Sequence, residues 1–153
     1  VLACMVCLMM LIPLWGCSSL KEGEHAKGET VQVGEVKSTL KDVAEIQGTG
    51  KEQPASGKVF LQCELSLENT TDKDLLVSSM MSFTCYVDGE KQDISFSALS
   101  SRGEKNQMDG TIKAGETFDG VLGYEVPKGW KEVKIEYQPD LTKSDKVTYV
   151  YRK

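Results

Sequence analysis

The chain has 153 residues, 18 Lys and Arg against 23 Asp and Glu, five cysteines and one histidine, for a formal net charge of −5. That length suits one domain, alone or with a tail, and the acidic excess removes the electrostatic basis for nucleic-acid binding, which needs clustered Lys and Arg. A lone histidine argues against His-rich metal sites and against most triad chemistry.

Fourteen of the first sixteen residues are apolar, and no charge precedes Lys21. The run from Val1 to Leu14 falls short of the ~20 apolar residues that cross a bilayer. It is interrupted by Pro13 and Gly16, as signal peptides are near their cleavage site. It ends on Leu14, Trp15, Gly16 and Cys17: an aliphatic residue, a variable one, a small one and a cysteine. This resembles the lipobox of bacterial lipoproteins. The resemblance implies cleavage between Gly16 and Cys17 and transfer of a diacylglyceryl group to the Cys17 thiol. That chemistry needs a small residue beside the cut bond and a thiolate nucleophile. Residues 1–16 are therefore expected to form a lipoprotein signal-peptide helix and residues 17–28 a flexible tether after the lipidated cysteine. The protein is expected at the cell membrane, lipid-anchored on its extracytoplasmic face. An uncleaved N-terminal membrane helix is the alternative.

From Leu20 to Gly57 the chain is rich in Lys, Glu, Gly, Thr and Gln, with seven acidic and five basic residues between Lys21 and Glu52. So little apolar surface does not offset the entropy of ordering. Within this stretch Thr30–Val33 and Val36–Ile46 predict an edge strand and a short turn. His25 is expected to be solvated.

Period-two alternation starts at Lys58. Val59, Leu61, Cys63, Leu65 and Leu67 share one face, and Asn69 to Asp74 closes the strand with turn-forming side chains. Leu75 to Val87 follows, with Met81, Phe83, Cys85 and Val87 in one phase. Asp88 and Gly89 signal a hairpin. Residues 97–109 read as irregular. Ala114 to Glu116 makes a turn, and Phe118, Gly120, Leu122, Tyr124 and Val126 alternate up to Pro127. Val133–Tyr137 and Val147–Tyr151 are the last strands. About seven short strands with Gly, Asp, Asn and Pro turns predict an all-β, immunoglobulin-like antiparallel β-sandwich. It occupies residues 29–153, with its core in 58–153, and a five-stranded barrel is the competing all-β fold.

The order of features carries a further resemblance: Phe60 to Asn69 with Cys63, Leu65 and Leu67 at alternate positions, the Asp88–Gly89 hairpin, Ala114 to Phe118, then Gly120 to Pro127. Together they resemble the Ig-like domain of unknown function found in many Gram-positive lipoproteins, which is similar in fold to the mycobacterial immunoprotective extracellular antigen. The resemblance implies structural roles: Asn69 closes a strand, Gly115 takes a turn and Pro127 ends a strand. It supplies no catalytic residue.

Cys63 and Cys85 remain once the leader and the lipid site are set aside. They form either a disulfide, as an extracytoplasmic location allows, or two buried free thiols. The resemblance implies few disulfides. Met80 and Met81 with these cysteines raise a Cu(I) carrier, but a blue-copper site needs two histidines and Met81 falls in the inward phase, so no metal and no cofactor are expected. Asp72, Asp74, Asp109 and Asp119 lie beside turns without calcium-loop spacing. Asn69 to Thr71 matches a glycosylation sequon and reads as a turn. No nucleophile–base set stands out, and the expected role is not enzymatic. The sequence points to a surface lipoprotein whose Ig-like domain binds an extracellular protein or wall component. Phe60, Tyr86, Trp130, Tyr149 and Tyr151 are the off-phase aromatic contact candidates. A small-ligand or ion-binding accessory protein is the alternative.

Overall fold

The computed structural model describes residues 19–153. Gly16 and Cys17, with the expected signal helix and cleavage site, lie outside the described residues.

In chain order the elements are β1 (Glu24–Ala26), β2 (Thr30–Val33), β3 (Val36–Ile46), β4 (Lys58–Asn69), β5 (Leu75–Val77), β6 (Phe83–Val87), β7 (Glu90–Gln92), α1 (Phe96–Ser100), β8 (Gly110–Ile112), β9 (Thr117–Pro127), β10 (Glu132–Tyr137) and β11 (Val147–Arg152). One sheet has the order β1-β11-β10-β6-β7 and the other β2-β3-β4-β9, with β5 and β8 forming a separate pair. The two large sheets pack face to face as the expected all-β sandwich, with Leu40, Leu65, Leu122, Val133 and Ile135 among the residues fully buried between them.

Alternation decides which side chains fill this interior. Leu61, Cys63, Leu65 and Leu67 of β4 point inward beside Leu122, Tyr124 and Val126 of β9, in an antiparallel register pairing Cys63 with Leu122. Tyr149 on β11 crosses the interior and donates its hydroxyl to the Ser38 carbonyl on β3 at 2.5 Å. Asp88 and Gly89 form the two-residue turn from β6 to β7, both at positive φ (50° and 87°). That backbone matches the strand twist, and glycine adopts it at no steric cost.

The described residues form eleven strands rather than about seven: β1 and a second strand in 30–46 come from the stretch read as tether, Leu75 to Val87 divides into β5 and β6, and β8 is added before β9. β1 lies within residues 17–28 and pairs in parallel with β11, so the tether expected over that range ends at Glu24. The core likewise begins before residue 58, because β3 is an eleven-residue strand burying Val36, Leu40 and Val43. A bulge hid it. Leu40 opposes Leu65 but Asp42 opposes Glu64, so Lys41 is an extra residue that shifts the inward phase by one.

Leu75 to Val87 is also not continuous. β5 pairs with β8, residues 78–82 form a turn closed by Ser82 N–H donating to the Ser78 carbonyl, and β6 then joins the other sheet. α1, N-capped by Ser95, lies on the outer face of β4 and β9.

Candidate functional site

The five aromatic candidates do not form a surface. Phe60 is fully buried on the outer phase of β4, the face that α1 covers. Trp130 is buried, with its indole N–H donating to Glu45 at 2.9 Å and the Lys153 ammonium 4.1 Å from its ring centroid. Tyr149 is buried in the inter-sheet core, because Val147, Tyr149 and Tyr151 share the inward phase of β11. These three are corrected from contact residues to packing residues. Tyr151 is half-buried, 6.2 Å from Trp130 and 5.4 Å from the Lys27 ammonium. Tyr86 is half-buried and lines a shallow cleft with Glu132 and Lys134.

Cys63 and Cys85 are free thiols, both buried. Burial pushes the Cys63 thiol up to about 12, and burial together with the neighbouring Cys63 raises Cys85 well above its usual range. Neutral, enclosed thiols are neither nucleophiles nor good metal ligands. His25 Nδ1 lies 2.8 Å from a Glu29 carboxylate oxygen, and its ring faces Tyr149 at 6.3 Å. Asn69 is fully buried: Nδ2 donates to the carbonyls of Lys73 (2.6 Å), Ile112 (3.0 Å) and Lys113 (3.2 Å), and Oδ1 accepts from Thr71 N–H and Oγ1. The sequon is thus a structural turn. The turn acids serve local geometry too: Asp109 accepts from Ser79 N–H and Oγ, and Asp74 from Ala114 N–H.

What stands open is one end of the sandwich. Four of the six large apolar side chains exposed among the described residues are there: Leu76 (81% exposed), Met80 (67%), Met81 (65%) and Leu141 (52%). Leu76 and Leu141 flank a cleft of about 360 Å³ that also involves Val36, Leu75, Tyr137 and Pro139. A second cleft, of about 380 Å³, shares Leu76, Pro139 and Leu141 and adds Met81. A third runs from Met80 and Met81 toward Ile94 and Tyr124. Sequence reasoning placed Met81 in the core, but the turn at 78–82 carries it outward before β6 begins. Leu76 and Leu141 were missed altogether. Leu76 sits between two apolar neighbours in a three-residue strand, and Leu141 is a lone apolar residue in a polar loop.

The walls of this site are held in place. Asp140 Oδ1 accepts from Thr142 N–H (2.9 Å) and Oγ1 (2.6 Å), and Gln138 Nε2 donates to carbonyls of the same loop. The turn from β2 to β3 lies across the cleft from that loop, with Gly34 and Glu35 lining it opposite Pro139. Glu35, Asp140, Lys143 and Asp145 edge the cleft. Hydrogen bonding to Thr142, and then Lys143, holds the Asp140 carboxyl below its ordinary range. β1 starts at this end as well, since Glu24 opposes Thr148 just past the loop that carries Leu141.

Among known proteins, the domain of unknown function DUF4352 matches residues 25–148. No curated protein matches the chain. The fold is similar to that of solved structures: a "putative lipoprotein (ycdA)" from Bacillus subtilis (TM-score 0.62, 21% identity, 80% of this chain), and the yjhA protein of the same organism (0.61, 20%, 82% of this chain and 97% of that one). An uncharacterized beta-sandwich protein from Clostridium difficile is similar too (0.52, 18%, 90% of this chain and 97% of that one). The chain spans 38% of the ycdA chain.

Proposed function

This chain belongs to the DUF4352 family, and on that premise we propose that it is a non-enzymatic, lipid-anchored surface lipoprotein. Its sandwich binds a protein or envelope component. The observation that carries the binding role is the apolar end itself. Leu76, Met80, Met81 and Leu141, four of the six large apolar side chains exposed among the described residues, are gathered around connected clefts, and exposed apolar clusters of this kind mark interaction sites. The anchor reading rests on Leu14, Gly16 and Cys17, supported by a solved structure of similar fold that is described as a "putative lipoprotein". Six residues separate Cys17 from Glu24, seven steps with a reach of at most about 25 Å, so an anchored sandwich holds its cleft end near the bilayer.

The non-enzymatic reading is supported by two enclosed thiols and a histidine engaged by Glu29. The ligand- or ion-binding alternative has less behind it. The space between the sheets is filled, and the described residues contain no group of three His, Cys, Asp or Glu placed to hold a metal ion.

Two experiments test the proposal. Palmitate labelling of the full chain in a bacterial host is expected to mark it and to be lost in Cys17→Ala; label retained by that variant overturns the lipid anchor. A photo-crosslinking residue at Leu141, in cells, is expected to give a discrete adduct that the same residue at Glu136 does not. Identical patterns from the two positions, or no adduct from either, overturn binding at the cleft end.

A further inference from the structure

We propose that the Leu76–Leu141 cleft receives a polypeptide segment that inserts an apolar side chain and carries Lys or Arg beside it. The inference rests on the binding role proposed above and adds the chemistry of the partner.

Three observations support it. The site is concave, and its volume of about 360 Å³ lies in the range of pockets that enclose a ligand group. It is preformed, because the Asp140 turn and the Gln138 hydrogen bonds fix the loop that carries Leu141 before anything binds. Preorganisation of this sort removes part of the ordering cost of association.

Its edge is unevenly charged. Of the four charged residues, Lys143 pairs with Asp140 at 3.3 Å, while Glu35 and Asp145 form no ion pair among the described residues. Two uncompensated carboxylates beside an apolar floor complement a cation attached to an apolar group. They disfavour the alternative occupant, an anionic membrane surface, for which a convex apolar tip with a basic border would be suited.

The full chain, carried in phosphatidylcholine nanodiscs, is titrated into two fluorescein-labelled peptides. One has leucine and phenylalanine flanked by lysines, and the other has every lysine replaced by glutamate. Anisotropy is expected to show binding of the basic peptide at least roughly tenfold tighter than of the acidic one, weakening as salt is added. Leu76→Ser and Leu141→Ser are expected to weaken the basic peptide by roughly tenfold each, and Glu35→Gln with Asp145→Asn to remove the salt dependence. Leu76 and Leu141 are largely exposed, so an unchanged melting temperature shows that these variants remain folded.

Equal affinity for the two peptides, or indifference to the Glu35 and Asp145 changes, overturns the proposed chemistry. If the Leu141 crosslink persists in that case, the binding role stands without it. Affinity that ignores Leu76→Ser and Leu141→Ser overturns the location. Capture of the chain by added vesicles of phosphatidylcholine and phosphatidylglycerol, abolished by the leucine changes and with no peptide bound, makes the membrane the occupant and overturns the proposal.

Discussion

Replacing Asn69 with alanine removes a side chain that holds two connections together at the cleft end. Its Nδ2 reaches carbonyls on both sides of the turn, Lys73 on one and Ile112 and Lys113 on the other, while Oδ1 accepts from Thr71. The site is fully buried, so water does not readily replace these partners. Leaving a buried polar group without its partner costs about 1–3 kcal/mol. The Lys73 and Lys113 carbonyls keep other donors, Thr71 Oγ1 and Glu116 N–H, so Thr71 N–H and the Ile112 carbonyl are the groups left short, which gives about 2–3 kcal/mol. For a body of this size that lowers the melting temperature by about 6–12 °C.

Asn69→Asp isolates the cause, because it keeps the shape and turns a donor into an anion facing three carbonyl oxygens. Its folded-state pKa must then lie above the unfolded value of about 3.9. The sign follows: relative to wild type its deficit is smallest below the unfolded pKa and grows as pH rises through the folded one. Calorimetry at several pH values measures both effects. A loss under about 1 kcal/mol in Asn69→Ala, or an Asn69→Asp deficit that does not vary with pH, would refute the reasoning.

Gly123→Ala places a Cβ 3.0 Å from both Cγ and N of Leu99, so α1 must give by a few tenths of an ångström. A loss of about 1–3 kcal/mol is expected, with faster amide exchange at Ala98–Ser101 as the local signature. Cys63 and Cys85 are expected to resist a thiol reagent in the native state and to react at two equivalents per chain in guanidinium once Cys17 is replaced and the first sixteen residues are absent; rapid native-state labelling would contradict their enclosure. Glu24, its carboxyl lowered by the Lys21 amide and by Lys134 and Arg152, ties β1 to the sheet. A lowered pKa stabilises above the unfolded value and is lost as pH falls through the folded one. Protection factors of the His25 and Ala26 amides are therefore expected to fall on acidification before those of the rest of the sandwich, and Glu24→Gln to remove that early step.

The strands with clean alternation were legible: β4, β9 and β10 stand where period two placed them, as does the Asp88–Gly89 hairpin. β3 was not, because the bulge at Lys41 breaks the period in mid-strand and leaves half of its inward residues out of phase. Alternation also says which residues share a face, but not what lies over it. Phe60 is outward on β4 yet buried, on a face where α1 packs against β4 and β9, and the five-residue α1 is too short to show helical periodicity. Trp130 lies between β9 and β10, outside any phase, and its burial depends on Glu45, 85 residues earlier in the chain. The cleft is assembled from three separate connections, and no single segment of sequence carries its signature.

Those connections also explain why the fold and the cleft can be separated. β4 and β9 belong to one sheet and β6 and β10 to the other, so the chain crosses the end of the sandwich on its way through β5 and the turn at 78–82. Polar groups fix these crossings: Asn69 beneath β5 and β8, and Asp140 in the loop before β11. The inward positions beside them are already filled by Val77, Ile112 and Tyr137, which leaves Leu76 and Leu141 no interior to enter. Exposed leucines there add little burial to the folded state and raise the risk of non-specific association. A chain shaped for stability alone would carry polar residues at both positions. Their presence over an acid-edged cleft is the observation on which the proposed binding role rests.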